Sequence, residues 1–413
     1  MIDDMNKKRQ NLLLFLPVFC LLLAMANGCR KSEYNTVANP AYLRVFNTLS
    51  YQNDLSTKGK PVPFLVMVID PQYDEAGILT GGAMVGDFLD TRNRYEGPAS
   101  DAASTDYRNR EFPGTMKIPV APIINGFDLS GWAQVPSGKH RFVFYTRPQN
   151  STPFFDLPKS TRQQQTLVAD STLELSLGEV YTMNLLEKEV IPDTLSTIIY
   201  LRQEEFQKMA FADSLIYVNF YNLSAKGYAE ANPEPSQNID YTHATGMAIK
   251  DLVNIYYTVY RDDVAFPYTI ENNQEPQVGM NLVAGYEKIP LQQLLRSHEP
   301  KVATYSSIPL FAGSDTTGRI FTRNWIHLDI FPPAGSPPGG TMVSFSNESD
   351  EGRIQIRWGG GSHPRGFLLP NLVRQVASGP YAQRSFATIS TVEFINKNIY
   401  LTSVMKIYTP PGR

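Results

Sequence analysis

Two short segments of the sequence carry side chains that could bind a polar, ring-shaped ligand. Apolar and polar residues alternate over residues 323–331 and again over residues 353–358, which predicts two strands with one core face and one outer face each. An indole ring beside a bidentate guanidinium can stack on a sugar and hydrogen-bond its hydroxyls. The outward-facing candidates are Trp325, His327, Asp329 and Arg357. This patch requires that the strands lie close together. The alternative is that Trp325 is covered by other parts of the chain and that the charges form ordinary sheet surface.

No recognised catalytic or metal-binding motif is present in the sequence. The five histidines do not form His-Glu-x-x-His or another short ligand spacing, and there is neither a Gly-x-Ser-x-Gly turn nor a phosphate loop. The oxygen-rich residues 347–351 lack the ordered spacing of a calcium loop. We expect no catalytic residue, no cofactor and no metal, and thus a protein that is not an enzyme. A hydrolase with carboxylates from separate strands stays open.

The most specific chemistry in the sequence belongs to a cysteine. Residues 12–25 form an apolar run that follows a basic segment, which has the length of a secretory signal and is short for a membrane span. The chain has two cysteines, and Cys20 would leave with this signal. Cys29 would then be the only thiol of the mature protein, without a partner for a disulfide. We interpret Cys29 as a lipid acceptor; the rival interpretation is a retained signal anchor.

Residues 21–29 resemble the bacterial lipobox, in which small residues precede Gly28 and Cys29. Ala26 stands where the usual pattern has leucine, a looseness found in lipoproteins of the Bacteroidota type. The resemblance implies removal of residues 1–28, acylation of Cys29 and stable attachment to the lipid bilayer through several acyl chains. Arg30 implies the outer membrane, facing either the cell surface or the periplasm. Residues 29–40 are polar and serve as a tether.

Composition indicates an exported globular protein. The sequence is 42% hydrophobic and 19% charged, with a formal charge of −3, so it has no global basic character for nucleic acid. It contains 22 tyrosines, 22 phenylalanines and 30 prolines, which is typical of β-strands joined by turns and long loops. We therefore expect a mainly β protein and no nucleic-acid partner.

The order of these strands predicts two domains. A first β-sandwich domain spans residues 41–195 and includes an apolar strand at 63–69 that is buried on both faces. Residues 196–214 are predicted to be a linker with a short helix. The second domain spans residues 215–413, and it begins with an aromatic strand that ends in Asn followed by Leu-Ser. The strand at 42–50 matches it when one residue is skipped, which suggests that the two domains begin alike; the alternative is a chance match among many aromatic residues.

Helical insertions are predicted in the second domain. Apolar residues at helical spacing indicate an amphipathic helix over residues 246–261. Residues 290–295 and 370–376 each begin with proline, which is favourable in the first turn of a helix. The second domain is therefore expected to have α+β character.

The strand openings, the turn and strand over residues 135–145, and the segment 178–182 resemble a family of bacterial exported proteins. That family is an immunoglobulin-like domain of unknown function, often repeated and often found on lipoproteins. The resemblance implies two immunoglobulin-like β-sandwich domains and transfers no catalytic residue. The leading hypothesis is a membrane-anchored, non-enzymatic binding or adhesion module with a glycan or a surface protein as partner. The alternative is a glycan-binding accessory lipoprotein of a polysaccharide-uptake system.

Overall fold

In the computed structural model, the chain is mainly β. The described residues are 37–49, 64–92, 111–114, 116–188, 197–212, 215–225, 252–261, 281–282, 285–286, 289–309, 324–331, 343–348, 353–358, 367–370, 373–378, 382–396 and 398–405. In this part of the chain the helical elements are one short α-helix and two 3-10 turns, against twenty-five strands. The expectation of a mainly β protein is therefore confirmed. None of the helices in the described ranges is long and apolar enough to cross a membrane.

The first lobe comprises the described residues from 37 to 212. Its strands are β1 (Pro40–Asn47), β2 (Leu65–Ile69), β3 (Gln72–Tyr73), β4 (Leu79–Gly81), β5 (Met84–Leu89), β6 (Glu111–Phe112), β7 (Ile123–Ile124), β8 (Phe127–Asp128), β9 (Ala133–Pro136), β10 (Gly138–Thr146), β11 (Leu167–Leu175), β12 (Val180–Glu187) and β13 (Thr197–Glu204). The helix α1 (Lys159–Gln163) and the 3-10 turns Phe154–Asp156 and Phe206–Lys208 complete it.

The second lobe comprises the described residues from 215 to 405. Its strands are β14 (Leu215–Asn222), β15 (Leu252–Arg261), β16 (Asn281–Leu282), β17 (Ile289–Leu295), β18 (Ser306–Pro309), β19 (Asn324–Phe331), β20 (Val343–Glu348), β21 (Arg353–Trp358), β22 (Phe367–Pro370), β23 (Val373–Ser378), β24 (Ala382–Ile395) and β25 (Asn398–Met405).

Two sheets face each other in the first lobe. One has the order β13-β12-β1-β6 with β9 also paired to β1, and the other has the order β11-β10-β2-β5. Leu43 and Met183 from the first sheet share one buried apolar cluster with Met67, Phe142 and Phe144 from the second. This interdigitation of two inner faces is the packing of a β-sandwich, so the prediction of a sandwich here is confirmed.

Strand β2 is buried on both faces, as its continuous apolar sequence predicts. Met67 faces the sandwich core, while Val66 and Val68 pack on the opposite side in a second cluster that includes Phe154 and Leu157. The 3-10 turn over Phe154–Asp156 therefore covers part of the outer face of this sheet.

The leucine alternation at the end of β11 is only partly inward-facing. Leu175 is 1% exposed and Leu173 packs against the core. The alternation of apolar and polar residues predicts that Leu177 faces inward with them, yet it is 61% exposed. The reason is that β11 ends at Leu175, so Leu177 lies in the turn before Gly178, whose φ of +74° suits glycine.

The second lobe begins as the first does. Strands β1 and β14 have the same burial pattern along their eight residues. Strand β1 pairs in parallel with β12, and β14 pairs in parallel with β24. Each partner strand then forms an antiparallel hairpin, β12 with β13 and β24 with β25. The two lobes thus begin with the same pattern of burial and strand pairing.

The predicted helical insertions are wrong wherever the structure describes them. Residues 252–261 of the expected helix form β15, which pairs with β17 on one side and β19 on the other. β-branched and aromatic residues dominate this segment, and a pleated surface accommodates them better than a helix does. Residues 246–251 lie outside the described part of the chain.

Two shorter predicted helices are strands as well. The segment 290–295 belongs to β17, where the register shifts opposite Pro290, which has no N–H to donate to the ladder. The segment 370–376 is shared by the end of β22 and the start of β23. The linker predicted over 196–214 holds β13, which pairs with β12 along eight residues, instead of the expected helix. A 3-10 turn follows at Phe206–Lys208.

Candidate functional site

The sequence-predicted ligand residues lie in one sheet, with the strand order β16-β15-β19-β20-β21-β22. Trp325, His327 and Asp329 are on β19, and Arg357 is on β21. Strand β20 lies between these two, so the strands are not directly paired. Asp329 is opposite Ser344, which is in turn opposite Arg357. The two residues therefore share one register row, about 10 Å apart at two strand spacings.

The other two candidates lie further along β19. His327 pairs with Thr258 and Trp325 pairs with Tyr260, both on β15. The backbone thus places all four candidates in one sheet and only Asp329 and Arg357 in one row. The binding patch itself stays a prediction. Cys29, the predicted lipid acceptor, lies outside the described residues.

The structure also shows a contact face that sequence reasoning missed. The outer face of the β1–β12–β13 sheet packs against the β14–β24–β25 sheet of the second lobe. At one end, Trp132, Val180 and Phe206 of the first lobe form an apolar cluster with Ile389 and Val404 of the second. At the other end, a second cluster joins the lobes through the buried residues Leu186, Tyr200, Tyr221, Leu223, Ile395 and Tyr400.

Between these two apolar clusters lies a buried ion network. The carboxylate of Glu393, on β24, accepts a hydrogen bond at 2.5 Å from Nη1 of Arg92 and another at 2.8 Å from Nη1 of Arg202. Arg202 also donates from Nη2 to Oε1 of Glu204 at 2.8 Å. The amide of Asn184 donates to Glu393 at 3.3 Å. The side chains of Glu393, Arg92 and Arg202 are each no more than 2% exposed.

Aromatic rings and a hydroxyl complete the surroundings of Arg92. Its guanidinium carbon lies 3.8 Å from the ring centroid of Phe46 and 4.6 Å from that of Tyr400. Its Nη2 donates to the hydroxyl of Thr402 at 2.8 Å. Stacking on aromatic faces suits the planar, weakly hydrated guanidinium, so Arg92 is held by both lobes in a buried environment.

The electrostatics of Glu393 follow from this arrangement. Burial alone would raise the pKa of its carboxyl group, because desolvation disfavours the charged form. The guanidinium groups of Arg92 and Arg202 outweigh that effect and hold the pKa at about 2, below the ordinary value of 4.5. Glu393 is therefore an anion at neutral pH, and the pair of arginines clamps it.

The interface brings equivalent positions of the two lobes together. Phe46 pairs with Asn184 in the first lobe, and Tyr221 pairs with Glu393 in the second, so Asn184 and Glu393 are equivalent residues. These two residues hydrogen-bond each other. The equivalent pair Val180 and Ile389 shares one cluster, and the pair Leu186 and Ile395 shares the other. Equivalent residues of the two lobes therefore contact each other, as in an isologous interface.

An accessible group of polar and aromatic side chains lies on the outer face of the β11–β10–β2–β5 sheet. Arg141 and Asp170 form a bidentate pair, with Nε to Oδ1 at 3.0 Å and Nη2 to Oδ2 at 2.6 Å. Their side chains are 47% and 32% exposed. The guanidinium carbon of Arg141 lies 5.8 Å from the ring centroid of Tyr73, whose hydroxyl is 3.4 Å from that of Tyr145. We call these four residues the outer-face cluster.

The sequence contains a partial signal for the interface and little signal for the outer-face cluster. A single acidic residue, Glu393, lies within the otherwise uncharged segment 385–395, and a charge there needs a buried partner. That partner cannot be found by spacing, because Arg92 is 301 positions away. Among the described residues, no group of three or more potential metal ligands is clustered.

Comparison with known proteins adds little to this geometry. No protein-family model matches the chain, and no curated protein is significantly similar to it. One solved structure, the "Putative cell adhesion protein" of Parabacteroides distasonis, aligns over 90% of this chain and 100% of its own. The sequence identity is 6% and the TM-score is 0.14, so the likeness bears on neither fold nor function.

Proposed function

We propose that this protein is an exported lipoprotein, held at the outer membrane by acylated Cys29, that acts as a non-enzymatic binding or adhesion module. The observation that carries the proposal is the buried clamp of Glu393 by Arg92 and Arg202. It joins the two lobes through buried charged groups whose separation is costly. A rigid double lobe presents its outer sheet faces in a fixed relation, which lowers the entropic cost of binding a partner.

The anchor and the lobes have complementary roles in this proposal. The lipobox-like segment supplies attachment to the bilayer, and several acyl chains make that attachment stable. The outer-face cluster supplies an exposed guanidinium and a partly exposed carboxylate, with two half-buried tyrosine rings beside them, for contact with a glycan or a surface protein. Tyrosine and arginine are the residue types that contribute most at binding surfaces.

The experiment that tests the anchor uses cells that express the full chain and are fed a labelled fatty acid. The wild type and Cys20→Ser are expected to incorporate label and to fractionate with the outer membrane, whereas Cys29→Ser incorporates none. Cys20→Ser is the matched control because it removes the other cysteine of the chain. Recovery of unlabelled mature wild type in the soluble periplasmic fraction contradicts the proposal.

Protease treatment of intact cells then tests the orientation. Loss of both lobes indicates that they face the outside and favours a glycan or a host surface as partner. Full protection indicates the periplasm and favours a partner inside the envelope.

The second candidate function is a glycan-binding accessory role in polysaccharide uptake. It is favoured by the backbone register that places Asp329 and Arg357 in one row of the sheet that also carries Trp325. Trp325→Ala is then expected to abolish retention on a glycan array, while Arg141→Ala on the other lobe leaves it intact. Unchanged retention of a folded Trp325→Ala variant counts against this role.

A further inference from the structure

A small cavity lies at the lobe interface beside the ion network. Trp132, Glu204 and Phe206 line it from the first lobe, and Ile389, Thr391 and Val404 line it from the second. It has about 10 Å³ of room for the centre of a water-sized molecule. That is close to the space that one water needs inside a protein.

Two residues that line the cavity each have a buried polar atom without a hydrogen-bond partner within the protein. These atoms are the indole nitrogen Nε1 of Trp132, a donor, and Oε2 of Glu204, an acceptor. Trp132 is 2% exposed and Glu204 is 3% exposed. An unsatisfied polar atom at this depth costs more than an ordinary hydrogen bond contributes, so buried polar groups in native proteins are almost always paired.

Neither side chain is free to turn toward another partner. Nε and Nη2 of Arg202 hold the other oxygen of Glu204 at 3.0 and 2.8 Å. The ring centroid of Trp132 is 6.0 Å from that of Phe206, and the guanidinium carbon of Arg44 lies 5.2 Å from the Trp132 ring. The donor and the acceptor are thus fixed in place, as a prepared binding site requires.

The donor and the acceptor that line the cavity determine which molecule can bind there. A molecule that satisfies both atoms must accept a hydrogen bond from the indole N–H and donate one to the carboxylate. Ammonium has no lone pair for the indole and a halide has no proton for Glu204, whereas water has both and matches the room of about 10 Å³. We propose that the interface cavity is a binding site for one water molecule that bridges Trp132 Nε1 and Glu204 Oε2.

The second proton of this water has an acceptor on the other lobe. The hydroxyl of Thr391 already donates to Oδ1 of Asn219 at 2.7 Å, so toward the cavity its oxygen can only accept. With Thr391 as third partner the water makes three hydrogen bonds, the usual number for a buried water. The water accepts a hydrogen bond from Trp132 and donates hydrogen bonds to Glu204 and to Thr391. It therefore forms part of the contact that joins the two lobes.

The direct test is a high-resolution crystal structure of the mature chain. The expected result is a solvent peak within about 2.7–3.2 Å of both Trp132 Nε1 and Glu204 Oε2. Trp132→Phe removes the donor and is expected to abolish the peak. The matched control is Tyr305→Phe, which removes a different unpaired donor of the same interface cluster, outside the cavity wall, and leaves the peak in place.

A measurement in solution uses the wild type alone, so it does not depend on the folding of a variant. The indole N–H resonance of Trp132 is expected to show a cross-peak to a long-lived water. Absence of both the solvent peak and the cross-peak overturns the proposal, as does a structure in which the indole donates directly to a protein group.

Discussion

Replacement of Glu393 by glutamine tests the central claim that a buried ion network joins the lobes. Glu393→Gln keeps the size and one carbonyl oxygen of the side chain but removes the negative charge between Arg92 and Arg202. Glu204 still pairs with Arg202, whereas Arg92 loses the carboxylate of Glu393 from its buried surroundings. Removal of one partner of a buried ion pair costs about 3–5 kcal/mol.

The depressed pKa of Glu393 gives a second value for the free energy that its charge contributes to folding, and the two values are similar. Its carboxyl pKa of about 2, against an ordinary value of 4.5, corresponds to about 3 kcal/mol that favours the folded state at neutral pH. We therefore expect Glu393→Gln to lower the free energy of unfolding by about 3 kcal/mol. In urea this is a shift of the midpoint of about 1 M for a chain of this size.

The assay is urea unfolding of the mature chain with Cys29→Ser, followed by far-ultraviolet circular dichroism and tryptophan fluorescence. The matched control is Asp170→Asn, which breaks an ion pair of the same type whose partners are 47% and 32% exposed. An exposed pair contributes less than about 1 kcal/mol, so the control stays close to the wild type. A Glu393→Gln variant that is also within 1 kcal/mol of the wild type refutes the reasoning.

Three further predictions concern the pH dependence of Glu393, a second buried ion pair, and the turn before β12. Because the pKa of Glu393 is depressed, its stabilisation is present above about pH 4.5 and is lost as the pH falls toward 2. The stability difference between the wild type and Glu393→Gln should shrink over that interval in acid titrations; a constant difference contradicts the assignment. Arg147→Ala should cost about 3–5 kcal/mol in urea unfolding, because it leaves Asp87 without its buried partner, whereas Arg141→Ala should cost under about 1 kcal/mol. Gly178→Ala should lower stability by about 1 kcal/mol in thermal unfolding, because alanine is strained at a φ of +74°, and an unchanged midpoint argues against that turn.

Local pattern predicted the elements whose burial is decided by their own sequence. The run at 63–69 is apolar at every position except its first proline, and β2 is buried on both faces as that pattern indicates. The shared opening of the two lobes was also visible in sequence, since β1 ends in Asn47 followed by Thr-Leu-Ser and β14 ends in Asn222 followed by Leu-Ser. In both cases the prediction depends only on residues that are adjacent in sequence.

Prediction failed where partners distant in sequence decide the structure. The tyrosines of residues 252–261 fit a helical period as well as a strand, and only pairing with β17 and β19 selects the strand. The ion network depends on contacts across 301 and 191 positions, to Arg92 and to Arg202, which spacing cannot show. The candidate residues around Trp325 lie on the predicted strands, but the position of β20 between β19 and β21 was not predicted.

The charge distribution at the interface explains why the two similar lobes pair with each other. Equivalent positions meet across it, so two copies of the first lobe could in principle pack through the same surface. Such a pair would bring Arg92 and Arg202 of both copies together around two copies of Asn184, with no carboxylate equivalent to Glu393. Burying those like charges is costly, and this cost selects against the wrong pairing. The change from Asn184 in one lobe to Glu393 in the other therefore converts a self-complementary surface into one that is specific for its partner lobe.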